Sequence, residues 1–382
     1  MKNKRVLFLE TGVPSANGNC GGSFYSLYNL IKKTPEFNVQ AFVLFYYHNN
    51  LINKFENVTQ EVFVKPIFFQ KISFRPLNTV IVLLRVIEKV IKICLIIKKE
   101  EISLIHCNDR VSTNYEGIIA SRIMRTNCIV HQRQYNSRLP LFFSFFSKYI
   151  VNYIAISNSI KLNLHNIGIP KNKITVIHNW VDDQEIITER ESIEKNFSTF
   201  KILWLGRLVP WKGIETVIEL AKQFNLLYPH FKFTIDVCGD FDFNDSYHVS
   251  ILEKLNRDKV NDKIKIKGHK KFNRKLANQY NLFLHTSINP EPFGRVIIEA
   301  MSLGLPVVSY GTGGVLDIIE DGKNGILIDK QDIEQGAQKI YKIAKNKNLL
   351  YYFTTEARKQ LKMKFIYKSI EEKLKNIYND RL

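Results

Sequence analysis

The feature that most constrains the fold is the run at 289–328, NPEPFGRVIIEAMSLGLPVVSYGTGGVLDIIEDGKNGILI. It reads as loop, helix, short apolar strand, glycine turn, helix and strand. Apolar residues at helical spacing predict a helix over about 295–303, with Gly304 and Pro306 as its stop. Val307, Val308, Ser309 and Tyr310 follow as a short buried strand. Gly311-Thr312-Gly313-Gly314 then opens the next helix, a setting in which backbone N–H groups can hold an anion. Two carboxylates frame the first helix, Glu291 in the loop and Glu299 inside it. Eight helical residues advance about 12 Å and turn about 80° beyond two full turns. These acids therefore cannot share a proton, and they read as two anchors for one elongated ligand.

The same alternation runs through the whole chain. An apolar strand at 5–10 ends in a loop of small residues that includes Gly12, Gly18, Gly21 and Gly22. A helix follows with Phe24, Leu27, Tyr28, Leu30 and Ile31 at helical spacing. Strand, glycine loop and helix open many nucleotide-binding units, but no G-x-G-x-x-G is present and an ordinary turn fits equally. Further strands are expected at 39–46, 61–66, 102–106, 128–131, 153–157 and 174–178. After a polar linker at 182–199 they resume at 201–205, 233–238, 264–267 and 282–286. Two α/β domains of doubly wound, parallel-sheet type follow, over 1–182 and 200–354.

Three other segments carry information. A helix over 78–99 places Arg85, Glu88, Lys89, Lys92 and Lys99 on one face, too many charges for a membrane span. It is either a buried domain helix or an interfacial one. Polar clusters stand at two strand ends, where open α/β sheets carry ligands: His106 to Asp109, and His131 to Gln134. The run 139–149 is crowded with Phe, and reads as a membrane-facing surface or as core packing. A Lys-rich helical tail begins near 346.

Composition narrows the partners. The 382 residues, 45% apolar and 24% charged, make an ordered globular chain of two domains. Five dispersed cysteines, an odd number with no metal-ligand spacing, point to a reducing compartment. The apolar part of the N-terminus is too short for a secretory signal, so a cytoplasmic location is expected. Of the net charge of +19, most lies in residues 1–180, with 23 Lys and Arg against 9 Asp and Glu; the remainder has 32 against 27. Between Glu116 and Asp182 no carboxylate occurs among eight Lys and Arg. Such asymmetry suits an anionic partner, nucleic acid or a membrane surface, although an AT-rich genome also enriches Lys.

After the strand at 201–205 comes Gly206-Arg207-Leu208-Val209-Pro210-Trp211-Lys212-Gly213. Arg207 and Lys212 flank a proline turn before a helix, an anion site suited to a diphosphate. With Ile174-Thr175-Val176-Ile177-His178-Asn179, the Glu291-Pro292-Phe293-Gly294…Glu299-Ala300 set and Gly313-Gly314, this order of motifs resembles the retaining glycosyltransferases of family 4. The resemblance covers nearly the whole chain and is densest over 157–328.

That resemblance implies the GT-B fold, two Rossmann-like domains facing each other across a cleft, with a C-terminal helix at about 355–382 returning to the first. It implies a UDP- or GDP-sugar donor held mainly by the second domain. Arg207 and Lys212 would bind the diphosphate and offset the charge that grows there, with no metal or cofactor. Glu299 would bind ribose hydroxyls and Glu291 the sugar, with backbone around Phe293, Gly294, Arg295 and Val296 reaching sugar and phosphate. Gly21 and Gly22 would close on the diphosphate, and His131 would hydrogen-bond the sugar or serve as a structural histidine. A lipid-linked or polysaccharide acceptor is the implied partner; the aromatic run and the basic first half point separately to an anionic inner membrane face, not to nucleic acid. The product would be a surface polysaccharide or lipopolysaccharide. The chain departs from the family in Trp180, where Gly is usual, and in Asn17–Cys20 before the glycine pair. A GT-B nucleotide-sugar epimerase or a non-enzymatic basic protein that binds membrane or nucleic acid are the alternatives. A glycoside hydrolase would leave the Arg207 and Lys212 cradle without a use.

Overall fold

Seven apolar runs of the first half pair as parallel strands: β1 (Lys4–Glu10), β2 (Val39–Phe45), β3 (Glu61–Val64), β4 (Leu104–Asp109), β5 (Asn127–Gln132), β6 (Ile150–Ala155) and β7 (Ile174–Val176). The computed structural model describes residues 4–13, 21–68, 75–139, 143–187 and 198–379. The strand order is β3-β2-β1-β4-β5-β6-β7. Strands covered on both faces read as near-continuous apolar runs, and Val6, Leu7, Phe8 and Leu9 are fully buried. The crossovers carry α1 (Gly22–Ile31), α2 (Ile52–Glu56), α3 (Arg75–Lys99), α4 (Tyr115–Met124), α5 (Phe143–Phe146) and α6 (Asn158–Asn166). Strand order reverses between β1 and β4. Right-handed crossovers therefore put α1 and α2 on one face and α3 to α6 on the other.

The second sheet has strands β8 (Phe200–Leu205), β9 (Phe233–Cys238), β10 (Ile264–Ile266), β11 (Leu282–His285), β12 (Val307–Tyr310) and β13 (Ile326–Ile328), in the order β10-β9-β8-β11-β12-β13. Its helices are α7 (Ile214–Leu227), α8 (Ser246–Arg257), α9 (Arg274–Ala277), α10 (Arg295–Ser302), α11 (Val315–Ile318), α12 (Ile333–Ala344) and α13 (Lys347–Lys364). Trp204, Phe224, Phe233 and Phe353 fill one continuous core. The chain ends in α14 (Tyr367–Asn379).

The two units are Met1–His178 with Glu371–Leu382, and Asn179–Ile370. The tail is thus shared differently from the expectation of one returning helix over 355–382. Asn346 caps α13 by accepting from Leu349 N at 3.1 Å. That helix buries Phe353, Ala357 and Leu361 in the second unit. It stops at Phe365, whose ring is buried against Phe293 and whose carbonyl accepts from Val181 N at 2.9 Å. Only from Glu371 onward does the chain belong to the first unit. Residues 188–197 of the expected linker, and Asn17–Cys20, lie outside the described residues.

Two other expectations change. β4 continues to Asp109, so the polar cluster there is part of a buried strand. In the Phe-rich run, Phe143 is buried and Phe145 exposed, with the Arg122 guanidinium 5.2 Å from the Phe145 ring; residues 140–142 lie outside the described set. No described helix is long and apolar enough to cross a membrane. Phe365→Ala should lower unfolding free energy by about 3–5 kcal/mol, read from urea denaturation of the second unit.

Candidate active site

β8, β11 and β12 are parallel neighbours, so their carboxyl ends open along one edge of the second sheet. Each end feeds one of the motif loops. After β8 the chain reaches Gly213, with φ +70°, before α7. A Cβ there would stand 2.1 Å from Thr286 O, so the loop after β8 touches the loop after β11 through a bare glycine. Thr286 ties them further: its hydroxyl lies 3.1 Å from Lys212 O and 2.9 Å from Gly213 O, and accepts from Trp204 Nε1 at 2.9 Å.

This packing brings Lys212 onto Glu291. The ammonium donates to Glu291 Oε1, the same oxygen that accepts from Ser287 Oγ at 2.7 Å and faces His285 Nε2 at 3.3 Å. Glu291 is 7% exposed. Burial pushes its pKa upward, but the His285 hydrogen bond and the Lys212 charge outweigh that and hold it well below the usual carboxylate range. Burial also keeps His285 below its ordinary value, against the pull of Glu291. The consistent state is a neutral His285 beside a carboxylate. A carboxylate only accepts, so Nε2 carries the hydrogen and Nδ1 accepts from Ser309 Oγ at 2.9 Å.

The glycine turn after β12 has a different task from the anion site expected of it. Gly314 N–H donates to Glu291 O at 2.7 Å, and Gly313 forms a parallel bridge with Glu291. A Cβ on Gly314 would stand 2.5 Å from Pro292 O. The turn therefore fixes the Glu291 backbone, and α11 has only four residues.

Arg207 is exposed, its guanidinium 5.8 Å from the Trp211 ring, while Lys212 lies 4.4 Å over the same ring. The indole thus gathers the two cations. Gly294, at φ +97°, turns the chain into α10. Arg295 Nε binds Glu299 Oε1 at 2.7 Å, one helical turn on. The two framing acids therefore have separate cations, Lys212 for Glu291 and Arg295 for Glu299. Val296 is half-buried, whereas Phe293 is buried with its ring 5.9 Å from that of Phe365.

Gly21 and His131 belong to the first unit. Gly21 precedes α1, which opens at Gly22. His131 is the penultimate residue of β5 and is 2% exposed. Its Nδ1 faces His106 Nε2 at 3.3 Å and Arg133 Nη2 at 3.4 Å, while Tyr378 OH meets His106 Nδ1 at 2.7 Å. Arg133 only donates, so His131 Nδ1 must accept and its hydrogen sits on Nε2. That Nε2–H has no partner among the described residues. The chain of bonds is then directed, from Tyr378 through His106 to His131, and it presents one buried donor. Burial, with the Arg133 charge, keeps His131 and His106 neutral.

Comparisons with known proteins identify the family and the fold. The family described as Glycosyltransferase Family 4 matches residues 21–185, and Glycosyl transferases group 1 matches 185–360. The chain belongs to the family 4, group 1 glycosyltransferases. It is 27% identical over 237 residues to a capsular polysaccharide biosynthesis glycosyltransferase of Staphylococcus aureus, covering 59% of this chain and 60% of that protein. It is 32% identical over 192 residues to a poly(ribitol-phosphate) alpha-N-acetylglucosaminyltransferase of Staphylococcus aureus strain COL, covering 48% and 36%. The chain thus spans less than two thirds of the length of each of these relatives. The crystal structure of Anabaena HepE in complex with UDP-glucose superposes with TM-score 0.77 and 24% identity, over 98% of this chain and 99% of that one. That likeness shows the GT-B fold.

His285, Ser287 and Ser309 complete the Glu291 knot, and sequence reading passed over His285 and Ser309 as parts of apolar strands and over Ser287 as the loop after one. Their signal was position at the ends of β11 and β12. Trp180, the departure from the family, is buried with its ring 6.1 Å from Tyr367, so it packs inside the second unit. Glu10, at the end of β1, was also missed. It accepts from Gly12 N at 2.9 Å and from Asn108 Nδ2, yet burial pushes its pKa up to about 7. A folded-state value above the unfolded 4.5 makes ionisation oppose folding, so stability falls as pH rises from about 4.5 to 7. Glu10→Gln should remove about 3 kcal/mol of that loss, read as a flatter plot of unfolding free energy against pH over this window.

Proposed function

We propose that the chain is a retaining glycosyltransferase that moves a sugar from a nucleoside-diphosphate sugar to a hydroxyl acceptor in cell-surface polysaccharide assembly. The observation that carries this reading is the largely buried Lys212–Glu291 pair at the strand ends, with Arg207 on the same indole. An ammonium has three donors, so Lys212 can keep Glu291 and still bind a diphosphate. Arg207 supplies the second cation. Together they offset the charge left on the diphosphate as the sugar departs, with no metal needed for that task.

Glu291, kept ionised by its neighbours, accepts hydrogen bonds from hydroxyls of the donor sugar. Glu299, tied to Arg295, takes the ribose hydroxyls, and the Gly294 turn brings backbone N–H groups toward the phosphate. The acceptor oxygen attacks the anomeric carbon on the face from which the diphosphate leaves. The C–O bond to phosphate breaks, the new C–O bond forms, and the departing phosphate oxygen takes the hydroxyl proton. Configuration is retained without a side-chain nucleophile. His131 Nε2–H is a neutral donor for a hydroxyl-bearing ligand of the first unit. Uridine diphosphate is placed ahead of guanosine diphosphate, supported by the UDP-glucose complex of the Anabaena protein. Surface-polymer assembly is supported by the names of the Staphylococcus relatives.

A thermal-shift panel of UDP, GDP and their sugars tests the donor. One nucleotide series should raise the melting temperature, since a ligand that binds only the folded state stabilises it. No shift with any of them sinks the donor reading. Lys212→Ala should abolish the shift and lower kcat/KM for transfer by about a hundred-fold or more. Full turnover in that variant would remove Lys212 from the site.

A further inference from the structure

The long helix α3 was open to two readings, buried or interfacial, and the structure divides it between them. Ile93, Ile96 and Ile97 are buried on one side. On the other, Val80, Leu83, Ile87, Ile91 and Leu95 stand 46–62% exposed. Steps of three and four residues keep these five within an arc of about 120° along about 22 Å of helix. Single exposed apolar residues are ordinary, but an aligned row of five is not.

Elements packed beside α3 expose further apolar side chains. Phe68 is 83% exposed, and its segment is tethered beside α3: Phe68 N–H donates to both Glu88 carboxylate oxygens, at 2.9 and 3.1 Å, and Lys92 Nζ donates to Pro66 O at 2.7 Å. α3 packs on α4, and α4 on α5 and the turn Ser147–Tyr149. There Ile123 and Phe145 are exposed. The cations on that side are Arg125 and Lys148, both exposed, and Arg122 over the Phe145 and Tyr149 rings. They lie in or beside the stretch after Glu116 that holds no carboxylate until Asp182. The acids along α3 are engaged: Glu116 with Lys89, Glu88 with Lys92 and Glu100 with Lys99. Glu101, beyond the helix, faces Arg5.

We propose that this face, the exposed stripe of α3 with Phe68, Ile123 and Phe145, docks the chain on a bilayer that carries anionic lipid. An apolar row flanked by cations matches the layering of such a surface, acyl chains beneath phosphate. The docking is peripheral, because the charges of α3 and its buried side keep it from spanning. A second copy fits less well, since face-to-face pairing would bring Arg125 and Lys148 of one chain against those of the other. The proposal is independent of the donor site.

The test is co-sedimentation of the full chain with phosphatidylcholine vesicles, with and without phosphatidylglycerol, at low and high salt. The wild type should bind the anionic vesicles, more weakly at high salt, and bind pure phosphatidylcholine little. Leu83→Glu with Ile91→Glu should reduce binding by about ten-fold or more. Arg125→Glu with Lys148→Glu should remove the preference for anionic lipid. Both residue pairs are exposed, so both variants should keep the wild-type melting temperature and its response to the donor nucleotide, which separates docking from the donor reading. The proposal is overturned by a wild type that ignores anionic vesicles or binds neutral ones equally, or by a Leu83 and Ile91 variant that binds unchanged. It is equally overturned if sedimentation shows a dimer that this variant splits while the wild type leaves vesicles unbound.

Discussion

A largely buried ion pair, Lys212 with Glu291, organises the second unit's candidate site. Burying two charges costs free energy that a bare pair scarcely recovers, so such a pair persists only where further hydrogen bonds and packing hold it. Here the holding is visible. Ser287 and His285 converge on the carboxylate, Ser309 fixes the imidazole, and Gly314 N–H secures the Glu291 backbone. Gly213 lets the Lys212 loop approach Thr286 with no side chain in between. The pair therefore depends on contacts among the ends of three adjacent strands, and a parallel sheet is what aligns those ends at one edge.

The first unit solves a related problem without an ion pair at its histidine. Tyr378, near the end of the chain, directs a hydrogen bond through His106 to His131. Burial, reinforced by the Arg133 guanidinium, makes protonation of His131 unfavourable, so the ring stays a neutral donor. Glu10, close by, is held near neutrality by burial. Each unit thus carries polar groups at its strand ends whose protonation is set by surroundings, the condition that binding chemistry requires.

How much of this was legible in the sequence follows from range. Strands buried on both faces announce themselves locally, and the runs at β1, β2, β8 and β12 were readable as such. The loops that bear Arg207, Lys212 and Glu291 were found because small residues, proline and charge cluster after strands. Their pairing was not legible, because Lys212 and Glu291 lie 79 residues apart and only the β8-β11 adjacency joins them. Tyr378 is 272 residues from His106, beyond any local pattern. The glycine turn at Gly313 and Gly314 misled for the opposite reason: its composition suits an anion loop, yet its N–H serves the backbone of Glu291. The tail misled because periodicity continues past Phe365, while burial of that ring ends the helix.

The central claim is that Lys212 and Glu291 act as one unit. A double-mutant cycle on unfolding free energy, with Lys212→Met, Glu291→Gln and the double variant, measures their coupling directly. The account predicts a coupling of at least about 1 kcal/mol, with each single variant less stable than the double would suggest by addition. Additive effects, with coupling near zero, would contradict it.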